Sequence, residues 1–404
     1  MKKPEKREEK SGWLNSNVLG AGISSFFGDL SYESATAILP AFLAALGVPA
    51  AVLGAIEGIS DGISSFVKLG SGWLSDKLRA RKKIAGAGYL LGIVSQIGYA
   101  VSASGLHVLV SRATGWAGRG LRGPARDAIL SDSVEEKDRG KAFGFHRAGD
   151  TLGAVLGPLF AFWLLQSLGL GFGEVFWITV IPAVLAAGAF WLLVREKRET
   201  ASYGTRPLNF LEALGGMPQK FRGYLSAVFI FGIADFSHTL LILRATELFT
   251  PEMGVVAAGG IAVGLYAARN VVYAAASYPI GALSDRIGRK KLLAAGYAVA
   301  AITMAGFAFA QADWILLLLL FCLAGLYIAA EDTLEGAIAG DILPKKVKGT
   351  GFGVLAATNG VGDFVSSIAV GVIWTAVSPQ AAFTIAAVVA GMGALLMATS
   401  KFDH

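Results

Sequence analysis

The chain has 404 residues, 54% of them hydrophobic and only 16% charged, with 52 glycines and a mean hydropathy of +0.59. A soluble globular domain is about 25% charged, so the composition excludes an ordinary soluble protein and reads as a membrane protein. The formal charge of +6 does not point to nucleic acid, because the basic residues fall in short clusters between apolar runs, as in cytoplasmic membrane loops.

The opening MKKPEKREEK is charged, and the apolar run after it is of span length without a small-residue cleavage site, so a cleavable leader is not expected. A membrane-spanning helix needs about 20 mostly apolar residues. On that scale the chain offers twelve spans, near 16–46, 50–75, 83–103, 107–131, 141–167, 173–194, 222–249, 256–282, 291–310, 314–340, 349–376 and 380–400. The basic residues agree with this division. Lys77, Arg79, Arg81, Lys82 and Lys83 fall in the second loop, and Lys137, Arg139 and Lys141 in the fourth. Arg195, Lys197, Arg198, Arg206, Lys220 and Arg222 lie in the sixth, Arg286 to Lys291 in the eighth, and Lys345, Lys346 and Lys348 in the tenth. The positive-inside rule then places both termini in the cytoplasm, in a multi-pass protein of the cytoplasmic (inner) membrane.

The expected organisation is a tail over 1–15, a six-helix bundle over 16–194, a cytoplasmic loop over 195–221 and a second six-helix bundle over 222–400. Within the loop, Phe210, Leu211, Leu214 and Met217 recur at helical spacing, which fits either a short interfacial helix or an anchored linker. The lone Cys322 excludes an internal disulfide or a cysteine metal site. Glycines at 54, 58 and 62, and at 149, 153 and 157, have the spacing that lets helices approach closely.

The two halves repeat. GWLSDKLRARKK at 72–83 matches GALSDRIGRKK at 281–291, and the same 209-residue shift carries Asp132 to Asp341, Gly140 to Gly349 and Phe143 to Phe352. In the first span the register slips to 206, setting GDLS (28–31) against ADFS (234–237). One register across several spans indicates duplication of a six-helix unit in parallel orientation.

With its basic central loop and G-x-L-S-D-R-x-G-R-K after the second span of each half, the chain resembles the major facilitator superfamily over almost its whole length. The second copy, Gly281 to Lys290, is close to the family pattern, and the first lacks the glycine after Asp76. Arg112 takes roughly the place of the family's span-four arginine. Gly144, Gly153, Gly157 and Pro158 reproduce G-x8-G-x3-G-P, similar to a motif of proton-coupled drug antiporters. The resemblance implies an all-α fold of two pseudo-symmetric six-helix bundles, acting as a monomer, with spans 1, 4, 7 and 10 lining a central cavity. It also implies gating roles for Asp76, Arg112, Asp285, Arg286, Arg289, Gly153, Gly157 and Pro158.

Polar residues fall heavily in those four spans. A charge at the bilayer centre costs about 2.5–3.5 kcal/mol on the mild insertion scale, so such residues must face a wet cavity or each other. Span 1 carries Asp29, Tyr32 and Glu33; span 4 carries Arg112, Arg119, Arg122 and Arg126 within about 80° of helical arc. Span 7 carries Asp235 and His238, and span 10 carries Glu331, Asp332 and Glu335. The repeat sets Arg122 against Glu331 and Arg126 against Glu335, so we expect a basic wall facing an acidic one. Pairing across the halves would close the cytoplasmic gate in the outward-open state; pairing of each stripe within its own half, as Arg126 with Asp29 or Asp150, is the alternative.

Glu57, Asp61 and Lys68 share a face of span 2, His146, Arg147 and Asp150 lie in span 5, and Arg269, Asn359 and Asp363 lie mid-span. With Tyr32, Arg119 and His238, the residues Glu57, His146, Arg269, Asn359 and Asp363 complete the expected substrate cavity. Burial raises a carboxylate's pKa and a nearby arginine lowers it, so a carboxylate that exchanges one influence for the other can carry a proton. Asp29, Glu33, Asp61, Asp150 and Asp235 are the candidates. No nucleotide-binding loop or metal-binding motif is present, and no cofactor or metal is expected.

The function expected from these features is secondary active transport by alternating access, as proton-coupled export of a small amphipathic or charged organic molecule. Import of an organic anion onto the arginines, carriage of a divalent cation along the acids, and a transporter-like receptor or lipid-handling role are the alternatives.

Overall fold

A run of apolar residues in lipid must satisfy its backbone hydrogen bonds internally, and helix is how a single segment does so. The computed structural model describes residues 12–78, 80–135, 139–196, 217–343 and 348–400, and all regular structure among them is helical. The helices are α1 (Ser16–Ala45), α2 (Ala50–Leu78), α3 (Arg81–Ala100), α4 (Gly105–Asp132), α5 (Arg139–Gln166), α6 (Phe172–Leu193), α7 (Gln219–Gly232), α8 (Thr239–Ile287), α9 (Arg289–Ala308), α10 (Trp314–Ile342), α11 (Lys348–Ala376) and α12 (Pro379–Thr399). Side-chain caps hold several first turns: Asn15 Oδ1 accepts from the Asn17 and Val18 amides, and Asp313 Oδ1 accepts from those of Ile315 and Leu316. Eight helical stretches among the described residues are long and apolar enough to cross a membrane. Of the rest, α1 and α4 carry acids and arginines mid-helix, and α7 has only 14 residues.

The seventh span is not the continuous helix expected over 222–249. Helix α7 stops at Gly232 and α8 starts at Thr239, leaving the IADFSH segment at 233–238 outside both helices. The backbone groups freed by this break find partners on α11: Ser367 Oγ accepts from the Ser237 amide at 3.0 Å, and Ser366 Oγ donates to the Asp235 carbonyl at 2.8 Å. Irregular backbone at membrane depth is tolerated where protein supplies such partners. Helix α8 then bends at Gly254, whose φ of 79° favours glycine, so it covers the end of one crossing and the whole of the next. Twelve crossings result.

Helices α1–α6 pack into one bundle and α7–α12 into the other, joined where α2 lies along α11 and where α1 and α5 meet α8. One face carries the chain ends and the charged loops. There Asn15 bonds Ser133, Asn17 bonds Arg195, and Lys290 reaches the Ser400 carbonyl. We call it the terminal face. On the opposite face the bundles touch: the Ala51 amide donates to Thr375 Oγ1, and Gln166 Nε2 donates to the Ala257 carbonyl. Apolar side chains fill the helix packing and also cover the outside, with Val94, Ile181 and Val388 each more than half exposed on the lipid-facing surface.

The small-residue spacing serves packing. A side chain at Gly157 would meet Glu33 Cβ at 2.9 Å and the Leu30 carbonyl at 3.0 Å, and one at Gly153 would meet Asp29 Cβ at 3.0 Å. These two glycines therefore bring α5 against α1 directly beside its two acids. The central-loop positions Phe210, Leu211 and Leu214 lie outside the described residues, and Met217 is buried. Overpacking a close contact typically costs about 1–3 kcal/mol. Gly157→Leu should lower the melting temperature of the purified protein by several degrees. Gly92→Leu on α3, where a side chain would meet nothing within 4 Å, should leave it near wild type. Equal melting temperatures for both would refute this packing.

Candidate substrate cavity

Helix α4 brings four arginines into the N-terminal bundle, and each finds a partner there. Arg112 and Glu57 are both 1% exposed, and the guanidinium grips Glu57 Oε2 through Nη2 at 2.8 Å and Nε at 3.3 Å. Its Nη1 donates to Thr36 Oγ1 at 2.7 Å, so Arg112 fastens α4 to both α2 and α1. The Tyr32 ring stacks over Arg112 and Arg119, 4.9 and 4.5 Å from their guanidinium carbons. Arg119 and Arg122 each approach Asp29 Oδ1 at 3.5 Å. Arg126 bonds Asp127 at 3.0 Å and Ser25 at 3.1 Å, and Ser25 in turn pairs with His146 Nε2 at 2.7 Å.

The arginine stripe thus pairs inside its own half in this conformation. Arg122 and Arg126 do not reach Glu331 and Glu335, because α4 and α10 stand apart on the terminal face while the bundles close on the opposite one. On the terminal face Arg126 and Asp127 of α4 and Phe143, His146 and Arg147 of α5 line a cavity of about 340 Å³. The Arg147 side chain, 74% exposed, marks its mouth and bonds Asp150 at 3.2 Å.

The C-terminal bundle offers a different wall. Five carboxylates, on Asp235, Glu331, Asp332, Glu335 and Asp363, surround it, and none is in an ion pair among the described residues. Tyrosines serve them instead. Tyr327 donates to Asp235 at 3.5 Å, Tyr273 to Asp332 at 2.8 Å, and Tyr297 to Glu335. Asn359 Nδ2 also donates to Glu335, at 2.6 Å. Glu331 Oε2 and Asn359 Oδ1 are buried without a partner. Arg269 bonds Asn270 at 2.8 Å and lies over Tyr266. Asp61 sits half-buried one turn beyond Glu57.

Between the walls, Tyr266 ties the halves together. Its hydroxyl lies 2.8 Å from Glu33 Oε2 on α1 and 2.9 Å from His238 Nε2, and its ring stacks on the histidine at 4.9 Å. The hydroxyl owns one proton, so donating it to Glu33 requires His238 to donate from Nε2. Glu33 and His238 are polar residues of spans expected to line the cavity, whereas Tyr266 stands in an apolar run. One signal existed: the 209-residue shift carries Glu57 onto Tyr266. It likewise carries Gly88 and Gly118 onto Tyr297 and Tyr327, so two of the three tyrosines that serve the acidic wall replace glycines of the first half.

Of the gating candidates, Arg112 is the buried anchor just described. Arg289 bonds Asp341 at the end of α10, and Arg81 makes the equivalent bond to Asp132 at the end of α4. Arg286 is exposed at the end of α8, and Pro158 lies inside α5. The side chains of Asp76 and Asp285 lie outside the described residues. Removing one partner of a buried ion pair costs about 3–5 kcal/mol. Glu57→Gln should therefore destabilise the protein strongly in thermal unfolding. Arg147→Ala, at an exposed pair, should cost no more than about 1 kcal/mol.

This architecture has close counterparts. A Major Facilitator Superfamily profile matches residues 21–268 and again 227–403. A Methanocaldococcus jannaschii protein named as an MFS-type transporter is 30% identical over 396 residues, 97% of each chain. Multidrug resistance protein MdtG of Escherichia fergusonii is 26% identical over 346 residues, 83% of this chain and 81% of that one. A crystal structure of nucleoside transporter NupG superposes with a TM-score of 0.77 over 95% of this chain and all of the other, at 16% identity. Two parallel six-helix bundles with charged inner walls, matched by sequence end to end, make this chain a member of the major facilitator superfamily of membrane transporters.

Proposed function

We propose that the protein is a proton-coupled exporter of a small amphipathic or charged organic molecule, working by alternating access as a monomer. In this reading it lies in the cytoplasmic (inner) membrane, with its termini and basic loops in the cytoplasm. The observation that carries it is the Glu33–Tyr266–His238 chain, a hydrogen-bonded link between the halves on the side where they touch. Opening the cavity to the opposite face requires that link to break. A hydrogen bond to a carboxylate is about twice as strong as one to a neutral acceptor, so a proton arriving on Glu33 weakens the latch. Arg119 and Arg112 of α4, Arg269 of α8 and Asp29 of α1 are the charged groups bearing on Glu33, and the approach or withdrawal of the arginines tunes its hold on the proton. Proton binding and bundle rocking are thereby the same event at one residue. Asp29, close to Arg119 and Arg122, is the second station for that proton, and Asp61, Asp150 and Asp235 are the remaining candidates.

Resemblance to a protein named for multidrug resistance supports export of organic molecules. The anion-import reading draws less support, since each arginine of α4 already has an acceptor within the bundle. In the alternate state we place Arg122 opposite Glu331 and Arg126 opposite Glu335, closing the terminal face as the far face opens.

Two experiments test this. A compound library screened for thermal stabilisation at two pH values either side of neutral identifies ligands, since a ligand of the folded state raises stability by mass action. Glu33→Gln should abolish the pH dependence of that stabilisation and proton-driven flux in proteoliposomes, while substrate exchange without a gradient persists. Retention of the wild-type pH dependence would remove Glu33 from the mechanism. For the gate, Arg126→Glu should impair transport and the added Glu335→Arg should restore a substantial part of it. Absence of any coupling in the double variant would rule out the cross-half pair.

A further inference from the structure

The acidic wall of the C-terminal bundle lacks what the basic wall has. Every arginine of α4 meets a carboxylate, whereas Asp332 and Glu335 meet tyrosine or asparagine, Asp235 meets Tyr327 and the carboxyl of Glu331, and no cation pairs with any of the five acids among the described residues. Glu331 is the extreme case. It is 9% exposed, and its Oε2 is buried with no hydrogen-bond partner. The charges bearing most on it are other carboxylates, those of Asp235, Glu335, Asp332 and Asp363. Beside it, Asn359 spends its amide donor on Glu335 and leaves Oδ1 buried and unpartnered. Both orphan atoms are acceptors, so what satisfies them must bring N–H or O–H donors, and the surrounding charge selects a cation. A bound metal ion does not fit, because among the described residues no three His, Cys, Asp or Glu side chains converge on one point.

We infer that Glu331 and Asn359 form the polar end of a binding site for a protonated primary or secondary amine, with Glu331 as its counter-ion. The cationic nitrogen donates to Glu331 Oε2 and Asn359 Oδ1, as an ammonium with free N–H bonds can. A quaternary ammonium carries the same charge without a donor and leaves both acceptors unsatisfied, which is costly for buried groups. Tyr297 and Tyr327 supply donors to Glu335 and Asp235, whereas Glu331 meets the Asp235 carboxyl and its Oε2 receives no donor from any neighbouring side chain, so it is the acid open to a ligand. In the first half, the position equivalent to Glu331 is Arg122, which already faces Asp29. The amine site therefore belongs to the second half alone. This inference names the substrate class of the transporter proposed above and rests on that reading.

Its test is equilibrium binding to the purified protein, which needs neither a membrane nor a proton gradient. The probes are phenylpropylamine, its N-methyl and trimethylammonium derivatives, phenylpropanol and phenylpropionate, followed by thermal shift and titration calorimetry. The primary and secondary amines should bind, the quaternary salt at least tenfold more weakly, and the alcohol and carboxylate not measurably. Glu331→Gln, which keeps the shape and removes the charge, should weaken amine binding at least tenfold; Glu331→Asp, which keeps the charge, should weaken it less. Circular dichroism and the ligand-free melting temperature verify that each variant is folded. Equal affinity for the quaternary salt, preference for the carboxylate, or undiminished binding by folded Glu331→Gln would each overturn the inference. Amine binding alongside unchanged pH dependence in Glu33→Gln would sink the proton reading alone, and pH-linked binding of another chemical class would sink the amine reading alone.

Discussion

A charged side chain in the hydrocarbon layer has no water to turn to, and everything inside this molecule is arranged around that constraint. Arg112 answers it with Glu57, Thr36 and two aromatic faces, and in doing so joins three helices of the first bundle. Arg119, Arg122 and Arg126 answer it with Asp29, Asp127 and Ser25. The same constraint shapes the backbone. The seventh crossing is interrupted only where the serines of α11 satisfy the freed amide and carbonyl, and it is there that Asp235 and His238 enter the interior.

The duplication makes the chemistry of the two halves comparable position by position. Where the first half carries Arg122 and Arg126, the second carries Glu331 and Glu335. The exchange reaches the supporting residues. Gly88 and Gly118 leave room in the first half for α3 and α4 to touch and for the Arg122 side chain to pass, and their counterparts Tyr297 and Tyr327 fill that room with hydroxyl donors for carboxylates. A bulky basic wall needs space beside it, and a wall of short acids needs donors. Each half has been fitted to the sign of its charge.

The contact between halves is asymmetric in depth. Small residues of α2 and α11 and of α1 and α8 allow close approach on the face away from the chain ends, while on the terminal face α4 and α5 line a cavity. A single hydroxyl, that of Tyr266, stands at the meeting point of the closed region and the charged interior. A link made of one hydrogen bond is strong enough to bias a two-state equilibrium and weak enough to break when the halves move.

The sequence by itself determined the membrane class, the twelve crossings, the duplicated halves, the family and the faces on which the arginines and acids lie. Hydropathy and helical periodicity are local properties, and the 209-residue repeat needs only the chain compared with itself. Tertiary structure alone decided which helix meets each charged face. Glu57 turned to Arg112, the α4 arginines paired within their own bundle, the seventh span broke against α11, and Tyr266 emerged from an apolar run to join Glu33 and His238. Periodicity fixes the direction in which a side chain leaves its helix, but its partner depends on how closely the neighbouring helices pack, a property spread over residues far apart in the chain.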